Sequence, residues 1–483
     1  MRFFTFTIIV CYIFLSGCYA KEDIEFKKFD ETQLKQDIEI LKGIVTDMHA
    51  GAYAYNSPAA LNKLFDSVKN SINTPLTTRL FFNKVNYILD RLKCIHTDAY
   101  LPDEYYDSIS KRAVFFPTPL VNINGRLYVN SDVQDIPLGA QVLSINDIPA
   151  SKIINDLQFF RHADGNSFAI RKTAIDEDFS YNYFIAYGDA AEFSIDFIKD
   201  SSIKTETKIF EAQKLTDLYA NRNNTSFYYF PTDVDYDFEI DDNYKTATLT
   251  LRSLNFYSYN AVHAFNNFLS NSFRLIKQNG IKNLIIDCRN NGGGYYTPTY
   301  SLLSYLVHKK LPEYDSATQR FEKLSYTQYI APEDTDKIEE QDSAFLSYKK
   351  LCKGLYTLNT DEITQWVPQK ERFKGQIYVV TNGQVISAAA TLVAVLKDKT
   401  NAVIVGEETG GGNDAHNAGM VNFILPHSKI KVEIPTRRYY QPIVKKQAGR
   451  GVLPNKEILF TLKDLLNNTD SPLSYIYDSL IVK

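Results

Sequence analysis

The stretch from Gln376 to Gly412 constrains the fold most, because it predicts a strand, a turn, a helix, a second strand and a glycine-rich loop in close succession. The β-branched and aromatic run Ile377–Val380 predicts the first strand, and a strong turn signal, Thr381-Asn382-Gly383, closes it. Ala388–Leu396 has high helix propensity, and the short apolar run Ala402–Val405 predicts a buried strand. This alternation is typical of an α/β fold.

One serine, Ser387, stands where the predicted helix begins. The unpaired N–H groups and the positive end of the helix dipole at that point would favour a developing alkoxide or oxyanion. The alternative is structural, since serine is a preferred N-cap residue. This stretch alone leaves both interpretations open.

A second stretch, Ile281–Gly294, reads IKNLIIDCRNNGGG and predicts a buried strand that ends in Asp287 and Arg289. Two asparagines and three glycines follow, and an apolar helix is predicted from about Thr297 to Val307. Glycine frees the backbone to turn sharply and to bring bare N–H groups close to a substrate. A phosphate-binding loop is not indicated, because the spacing fits neither G-x-G-x-x-G nor the P-loop.

Three motifs occur in order along the chain: D-x-R-N-N-G-G-G, the strand-turn-helix around Ser387, and the loop G-E-x-T-G-G. Together they resemble the S41 peptidases, the family of the C-terminal processing (tail-specific) proteases and the tricorn core protease. The resemblance implies an α/β fold with a ClpP/crotonase-like ββα catalytic domain, an N-terminal helical cap and a PDZ-like β domain. It also implies Ser387 as the nucleophile, with backbone N–H groups of Gly293 and Ala388 as oxyanion donors.

The general base departs from the pattern of the C-terminal processing branch. That branch has a lysine about 25 residues after the serine, where this chain has Gly412, and a glutamate three residues after it, where this chain has Ala390. The resemblance to the tricorn branch implies His96 as the base. His416, in the glycine-rich stretch Gly410–Gly419, is the reserve candidate. A lone histidine after a helix is more often structural, so the structural interpretation of His96 stays open.

The orienting acid is left unassigned, although Glu407 and Glu408 stand nearby in the sequence. We expect no cofactor. The net charge of -4 and the absence of basic runs argue against a nucleic-acid partner. Cys94, Cys288 and Cys352 are too widely spaced for a disulfide framework or a metal site, so buried free thiols are expected.

The N-terminus resembles a bacterial lipoprotein signal. Arg2 precedes a short apolar run, Phe3–Phe14, and Leu15-Ser16-Gly17-Cys18 resembles a lipobox. We therefore expect residues 1–17 to be removed and Cys18 to anchor the exported protein in the outer membrane. An ordinary cleaved signal peptide is the alternative.

The rest of the chain divides into four predicted parts: a helical cap (24–112), a PDZ-like domain (113–212), a linker (213–242) and the catalytic domain (243–483). Ser57-Pro58 and Thr77-Thr78 are the predicted starts of two cap helices. The stretch from Pro137 to Pro149 resembles the PDZ signature, and a helix is predicted at Ser151–Leu157. Whether this domain captures chain ends or acts as a lid or spacer stays open.

These observations predict an exported, lipid-anchored serine endopeptidase that acts on peptides or proteins. Two alternatives differ in class. One is a catalytically inactive protein of the S41 fold that binds peptides or hydrophobic ligands, which the absence of the lysine and the glutamate favours. The other is an envelope scaffold lipoprotein.

Overall fold

The computed structural model describes residues 27–131, 135–199, 204–221, 235–344, 347–352, 354–359, 361 and 363–481. The signal peptide predicted at 1–17 and Cys18, the predicted lipidation residue, lie outside the described residues. Among the described helices, none combines the length and the apolar character needed to cross a membrane.

The N-terminal part is helical, and two of its helices begin at the predicted starts, Ser57-Pro58 and Thr77-Thr78. Ser57 accepts the amide of Ala60, Thr77 caps the next helix in the same way, and Asp30 forms a capping box with Gln33. The elements of this part are β1 (Lys28–Phe29), α1 (Glu31–Met48), α2 (Pro58–Asn70), β2 (Leu76–Thr77), α3 (Thr78–Asp90), β3 (Asp98–Tyr100) and α4 (Asp103–Arg112).

The middle part is a small antiparallel sheet with helices on it, and its strand order is β10-β9-β7-β6-β5, with β8 on β7. Its elements are β4 (Val114–Phe115), β5 (Leu120–Ile123), β6 (Arg126–Val129), β7 (Gln141–Ile145), β8 (Ile148–Pro149), α5 (Ala150–Leu157), α6 (Thr173–Asp176), α7 (Phe179–Tyr187), β9 (Glu192–Ile198), β10 (Glu206–Glu211), β11 (Gln213–Lys214) and α8 (Leu215–Asn221). The helix predicted at Ser151–Leu157 is α5. A relationship to PDZ domains stays a prediction.

The C-terminal part contains two sheets. Its elements are β12 (Tyr236–Asp241), β13 (Thr246–Leu251), α9 (Tyr259–Gln278), β14 (Asn283–Asp287), α10 (Tyr296–Ser304), β15 (Leu311–Pro312), β16 (Ser316–Gln319), α11 (Lys337–Ala344), β17 (Tyr348–Cys352), β18 (Leu355–Leu358), β19 (Gln365–Trp366), β20 (Gln376–Thr381), α12 (Ser387–Lys399), β21 (Val403–Gly406), β22 (Ala415–Ile424), β23 (Lys431–Tyr440), β24 (Lys456–Glu457), α13 (Leu462–Asn467) and α14 (Ser471–Tyr475).

The described residues of the predicted linker, 213–221 and 235–242, form regular structure. They contain β11, α8 and β12, and β12 is the edge strand of the first C-terminal sheet. The described part of this range is therefore part of the folded protein.

The first C-terminal sheet has the order β12-β13-β14-β20-β21-β24, and every pair from β13 onward is parallel. The apolar side chains on one face pack with α9, α10 and α12 into one buried core, and those on the other face, such as Ile285 and Val405, pack against Ile476. Parallel neighbours end on the same edge of a sheet, and Asp287 at the end of β14 lies opposite Val380 of β20. The two motif loops that follow these strands therefore meet in space.

The second C-terminal sheet joins the helical part to the rest of the molecule. Its order is β17-β18-β16-β23-β22, and β3 pairs with β23. Buried residues of β22 and β23, such as Phe423 and Ile434, belong to the same hydrophobic core as Leu34 and Ile38 of α1. The cap is therefore not an independent module, because its core is continuous with these two strands.

The three described cysteines are free thiols. Cys94 and Cys288 are buried, as expected, but Cys352 is exposed on β17. The expectation of a buried thiol is wrong for Cys352 because β17 is an edge strand, paired only with β18 among the described strands.

Candidate active site

Ser387 is the first residue of α12, and its backbone is in the left-handed region with φ of +52°. A residue with a side chain rarely adopts this conformation, which costs on the order of 1–3 kcal/mol and persists only where the surroundings hold it. The N-cap position belongs to Ile386, and no side chain caps this helix. The interpretation of Ser387 as an N-cap is therefore wrong.

The glycine loop after β14 packs directly against this serine. Gly293 has φ of +89°, and a Cβ at this position would lie 2.7 Å from Ser387 Cβ and 2.9 Å from both Ala388 N and Ile386 O. Cβ atoms do not approach other atoms this closely, so only glycine fits here without a shift of the backbone. The amide of Ile386 donates to the carbonyl of Asn291 at 3.2 Å, which joins the loop to the serine turn.

Asn291 fixes the shape of the glycine loop, a role that the sequence did not assign. Its side chain is fully buried; Oδ1 accepts the amide of Gly293 at 2.9 Å, and Nδ2 donates to Leu251 O at 3.2 Å. The amide of Gly293, predicted as an oxyanion donor, is thus directed at Asn291 in this structure. The two consecutive asparagines before the glycines were the available sequence signal.

A buried network of charged side chains holds the end of β14, where the glycine loop begins. The carboxylate of Asp287 accepts hydrogen bonds from Arg289 and Arg252, and Arg289 also pairs with Asp470 at 2.8 Å. Burial alone would raise the pKa of Asp287, but the two guanidinium groups outweigh it and hold that pKa well below its ordinary range. The end of β14 is therefore held by ion pairs and does not itself offer a titrating group.

His96 lies in the turn between α3 and β3, and its side chain is half-buried. Its ring centre is 6.1 Å from that of His416, and its Nδ1 is shielded from solvent and has no hydrogen-bond partner among the described residues. Burial lowers the pKa of His96, and the charge of Asp164 partly opposes this. The imidazole is therefore neutral at pH 7, the state in which a ring nitrogen can accept a proton.

His416, the reserve candidate, is buried on β22 with both ring nitrogens occupied. Nε2 is 2.8 Å from the hydroxyl of Tyr296, and Nδ1 is 3.3 Å from the side-chain nitrogen of Gln441. Gln441 also donates to Thr391 of α12 at 2.9 Å. Burial lowers the pKa of His416 to about 3. Neither ring nitrogen is open to a serine without a change of partner.

Asp164 is the carboxylate next to His96, and sequence reasoning missed it. Oδ1 accepts the amide of Ile95 at 3.0 Å, and Oδ2 accepts the amide of Gly412 at 3.2 Å. One ligating atom each of Asp164, His96 and Cys94 lie within 4.8 Å of one another. Burial raises the pKa of Asp164, and His96 and the two amides oppose that rise. No motif surrounds Asp164, so the sequence offered no signal for it.

The two glutamates that the sequence placed nearby are engaged elsewhere. Glu407 pairs with Lys172 at 2.5 Å, and Glu408 pairs with Arg450 at 2.7 Å. Neither belongs to the cluster of Cys94, His96 and Asp164.

The position of the missing lysine leaves no room for a side chain. A Cβ at Gly412 would lie 2.4 Å from Ala415 O, and a Cβ at Gly411 would lie 2.7 Å from Ala390 Cβ and 2.9 Å from Ser387 N. The glycine-rich loop therefore packs tightly on the first turn of α12. A lysine at position 412 or a glutamate at position 390 would therefore require a different conformation of this loop.

Residues 246–458 match the family profile described as peptidase family S41. The chain contains a family S41 peptidase domain. Among solved structures, mature CPAF is 14% identical with a TM-score of 0.59, covering 94% of this chain and 99% of that one. Mature CPAF complexed with lactacystin is 16% identical with a TM-score of 0.58, covering 92% and 97%. At these identities the likeness shows a shared fold. A comparison with curated protein sequences found no match.

The matched S41 domain contains only part of the candidate site. Ser387, Gly293 and His416 lie within residues 246–458, whereas His96 and Asp164 come from the helical and middle parts. A chain of contacts connects the two groups. Gly411 packs against Ser387, and the amide of the neighbouring Gly412 donates to Asp164. Asp164 in turn lies beside His96.

Proposed function

We propose that this S41 protein is a serine endopeptidase in which Ser387 is the nucleophile and His96 the general base. The observation that carries the proposal is the left-handed Ser387 at the start of a helix, packed against Gly293 of a glycine loop. Strained backbone concentrates at functional sites, and a helix start presents free N–H groups to a developing negative charge. The substrates are peptides or proteins, as the family description indicates.

In the proposed reaction, Nε2 of neutral His96 takes the proton of Ser387 Oγ as that oxygen attacks the carbonyl carbon of the peptide bond. The imidazolium then gives the proton to the leaving amine, and an acyl-enzyme remains. Water, activated by the same histidine, hydrolyses this ester and releases the new carboxyl terminus. Asp164 stabilises the imidazolium by its charge, since Nδ1 of His96 makes no hydrogen bond within the part of the chain that the structure describes.

The proposed oxyanion donors are the N–H groups of Ala388 and Gly293. The amides of Ala389 and Ala390 both donate to Ile386 O, which leaves the Ala388 amide outside the helical hydrogen-bond pattern. The Gly293 amide donates to Asn291 Oδ1 and has to exchange this partner for the substrate oxygen. The close approach of Gly293 to Ala388 N, seen in the short Cβ distance, supports this pair.

A second candidate function is a catalytically inactive protein that binds peptides or hydrophobic ligands on the same fold. The engaged amide of Gly293 favours it, as do glycine and alanine at positions 412 and 390. An envelope scaffold is a further alternative of this inactive class.

An activity-based probe separates these functions. A fluorophosphonate, which reacts with activated serines, is expected to modify Ser387, with the adduct located by mass spectrometry. Ser387→Ala abolishes labelling, whereas Ser258→Ala, at the N-cap of α9, leaves it unchanged. A folded protein that stays unlabelled at Ser387 would favour the inactive alternatives.

We also propose that the protein is exported and held in the outer membrane by lipid on Cys18, from the lipobox-like Leu15-Ser16-Gly17-Cys18. Cys18→Ala is expected to move the protein from the membrane fraction to the soluble fraction of the envelope or the medium. Equal fractionation of parent and variant would reject the anchor.

A further inference from the structure

Three side chains of different chemistry converge beside the candidate site. Cys94 and His96 come from the same turn after α3 with one residue between them, and Asp164 comes from a loop of the middle part. Their ligating atoms, one sulfur, one ring nitrogen and one carboxylate oxygen, lie within 4.8 Å of one another. The proposed peptidase chemistry uses His96 and the charge of Asp164, but it gives no role to the thiol.

The cluster also contains a buried polar atom, Nδ1 of His96, that can donate or accept a hydrogen bond. Nδ1 of His96 is shielded from solvent, and no described residue forms a hydrogen bond with it, which is costly for a polar atom in the protein interior. A cation held by the thiol, the carboxylate and this nitrogen would supply the partner that Nδ1 lacks among the described residues.

We propose that Cys94, His96 and Asp164 bind a zinc-type divalent cation and that the bound cation switches off the peptidase. Binding does not depend on the proposed catalytic function, whereas the inhibition rests on His96 being the base. On binding, the thiol of Cys94 gives its proton to solvent and the thiolate sulfur becomes a ligand, while the charge state of the metal does not change.

Zinc suits this set of donors better than calcium or magnesium. Zn²⁺ accepts thiolate, imidazole and carboxylate ligands in tetrahedral geometry, with bonds of about 2.0–2.3 Å. Ca²⁺ and Mg²⁺ prefer oxygen ligands alone. Tetrahedral bonds of that length put ligand atoms about 3.3–3.8 Å apart, so ligand atoms that now lie up to 4.8 Å apart have to approach by about 1.5 Å at most. The three residues supply three ligands and leave the fourth position for water.

The surroundings hold the ligands in place. Asp164 is fixed by the amides of Ile95 and Gly412, and Cys94 Sγ accepts a hydrogen bond from Asn417 Nδ2 at 3.1 Å. Such outer hydrogen bonds orient metal ligands and support a thiolate.

The inhibition follows from the tautomers of imidazole. As a base, His96 needs its proton on Nδ1, so that the lone pair of Nε2 faces the serine. In the proposed site the cation is on Nδ1, where it occupies the lone pair of that nitrogen and leaves the single ring proton on Nε2. The ring can then no longer accept the proton of Ser387, even though its position is unchanged.

Cobalt(II) is the probe for the site, because it replaces zinc and shows thiolate-to-metal charge-transfer absorption in the near ultraviolet. The full-length protein is expected to show this band at one Co²⁺ per chain, and equimolar Zn²⁺ is expected to remove it. Cys94→Ser abolishes the band, and Cys352→Ser, at the exposed thiol, keeps it. Circular dichroism checks that each variant is folded.

The spectrum of the parent protein is sufficient to reject the proposed site. If excess Co²⁺ produces no charge-transfer band, no thiolate binds the metal. A band that persists in folded Cys94→Ser and disappears in Cys352→Ser would move the metal to the exposed thiol and equally overturn the proposal. Ser387→Ala, which removes the proposed nucleophile, is expected to keep the band. This variant separates failure of the metal site from failure of the peptidase.

Inhibition is then measured on fluorophosphonate labelling of Ser387. Zn²⁺ at saturation is expected to slow labelling of the parent and of Cys352→Ser by about 100-fold, the scale for losing a general base, and a chelator restores it. In Cys94→Ser the same Zn²⁺ concentration has little effect. Bound metal without loss of labelling would keep the site and reject the switch.

Discussion

At the scale of residues, the site depends on two backbone conformations that are packed against each other. Ser387 adopts a left-handed φ that few residues with side chains tolerate, and Gly293 occupies a space that no Cβ can enter. Asn291 joins them, because its carbonyl accepts the amide of Ile386 and its side chain accepts that of Gly293. The serine and the loop therefore form one unit.

Gly293→Ala tests this unit. The new Cβ would clash with Ser387 Cβ and impose strain at φ of +89°, so the loop has to move away from the serine. Hydrolysis of a fluorescently labelled denatured protein is expected to fall about 100-fold or more, the scale for losing one oxyanion donor.

The control for that substitution is Gly292→Ala, because a Cβ at Gly292 has no neighbour within 4 Å and its φ is not in the left-handed region. Its activity is expected to fall far less. Equal activity of folded Gly293→Ala and the parent would place the oxyanion hole elsewhere.

At the scale of elements, the turn that carries His96 is held from three sides. β3 pairs with β23, with Asp98 opposite Glu433, so the residues after the turn are fixed to the second sheet. The side chain of the buried Thr97 is 2.7 Å from His49 Nε2 of the helical part, and its carbonyl is 2.5 Å from His162 Nδ1 of the middle part. The position of His96 is thus set by contacts far apart in sequence.

Asp164→Asn tests the carboxylate beside this turn. Asparagine removes the charge that stabilises the imidazolium and keeps an acceptor for only one of the two amides. We expect kcat to fall about 10-fold or more with little change in KM, below the roughly 10⁴-fold effect of an acid that hydrogen-bonds the base directly.

The matched control is Asp147→Asn, an exposed carboxylate in a turn at φ of +61°, a conformation that asparagine tolerates. Its kinetics are expected to equal those of the parent. If Asp164→Asn changes stability but leaves kcat unchanged, Asp164 has only a structural role.

The sequence predicted local features well and non-local ones poorly. The strands and helices around Ser387 and Gly293 were predictable because each motif sits on consecutive residues of one strand-loop-helix unit. Asp164 could not be found, because its partners Ile95 and Gly412 are contributed by distant parts of the chain.

Residues 310–370 were unpredictable for a different reason. They contain β15–β19, strands of two to five residues that are largely half-buried or exposed, so no hydrophobic period develops. Pairing with longer strands, such as β16 with β23, decides their structure.

At the scale of the whole molecule, the proposed active site is assembled from three parts of the chain. The S41 domain supplies the serine and the glycine loop, the middle part supplies Asp164, and the helical part supplies His96. The common core of α1 with β22 and β23 fixes the helical part to the second sheet. In the proposed reaction a histidine nearly 300 residues before the serine therefore activates it.

The rate at which a fluorophosphonate modifies Ser387 measures this activation without any knowledge of the substrate. His96→Ala is expected to slow the reaction by about 100-fold or more, the scale for a general base. His416→Asn, at the buried histidine bonded to Tyr296 and Gln441, is expected to change it far less. Fast labelling of folded His96→Ala, together with slow labelling of folded His416→Asn, would contradict the account and make His416 the base.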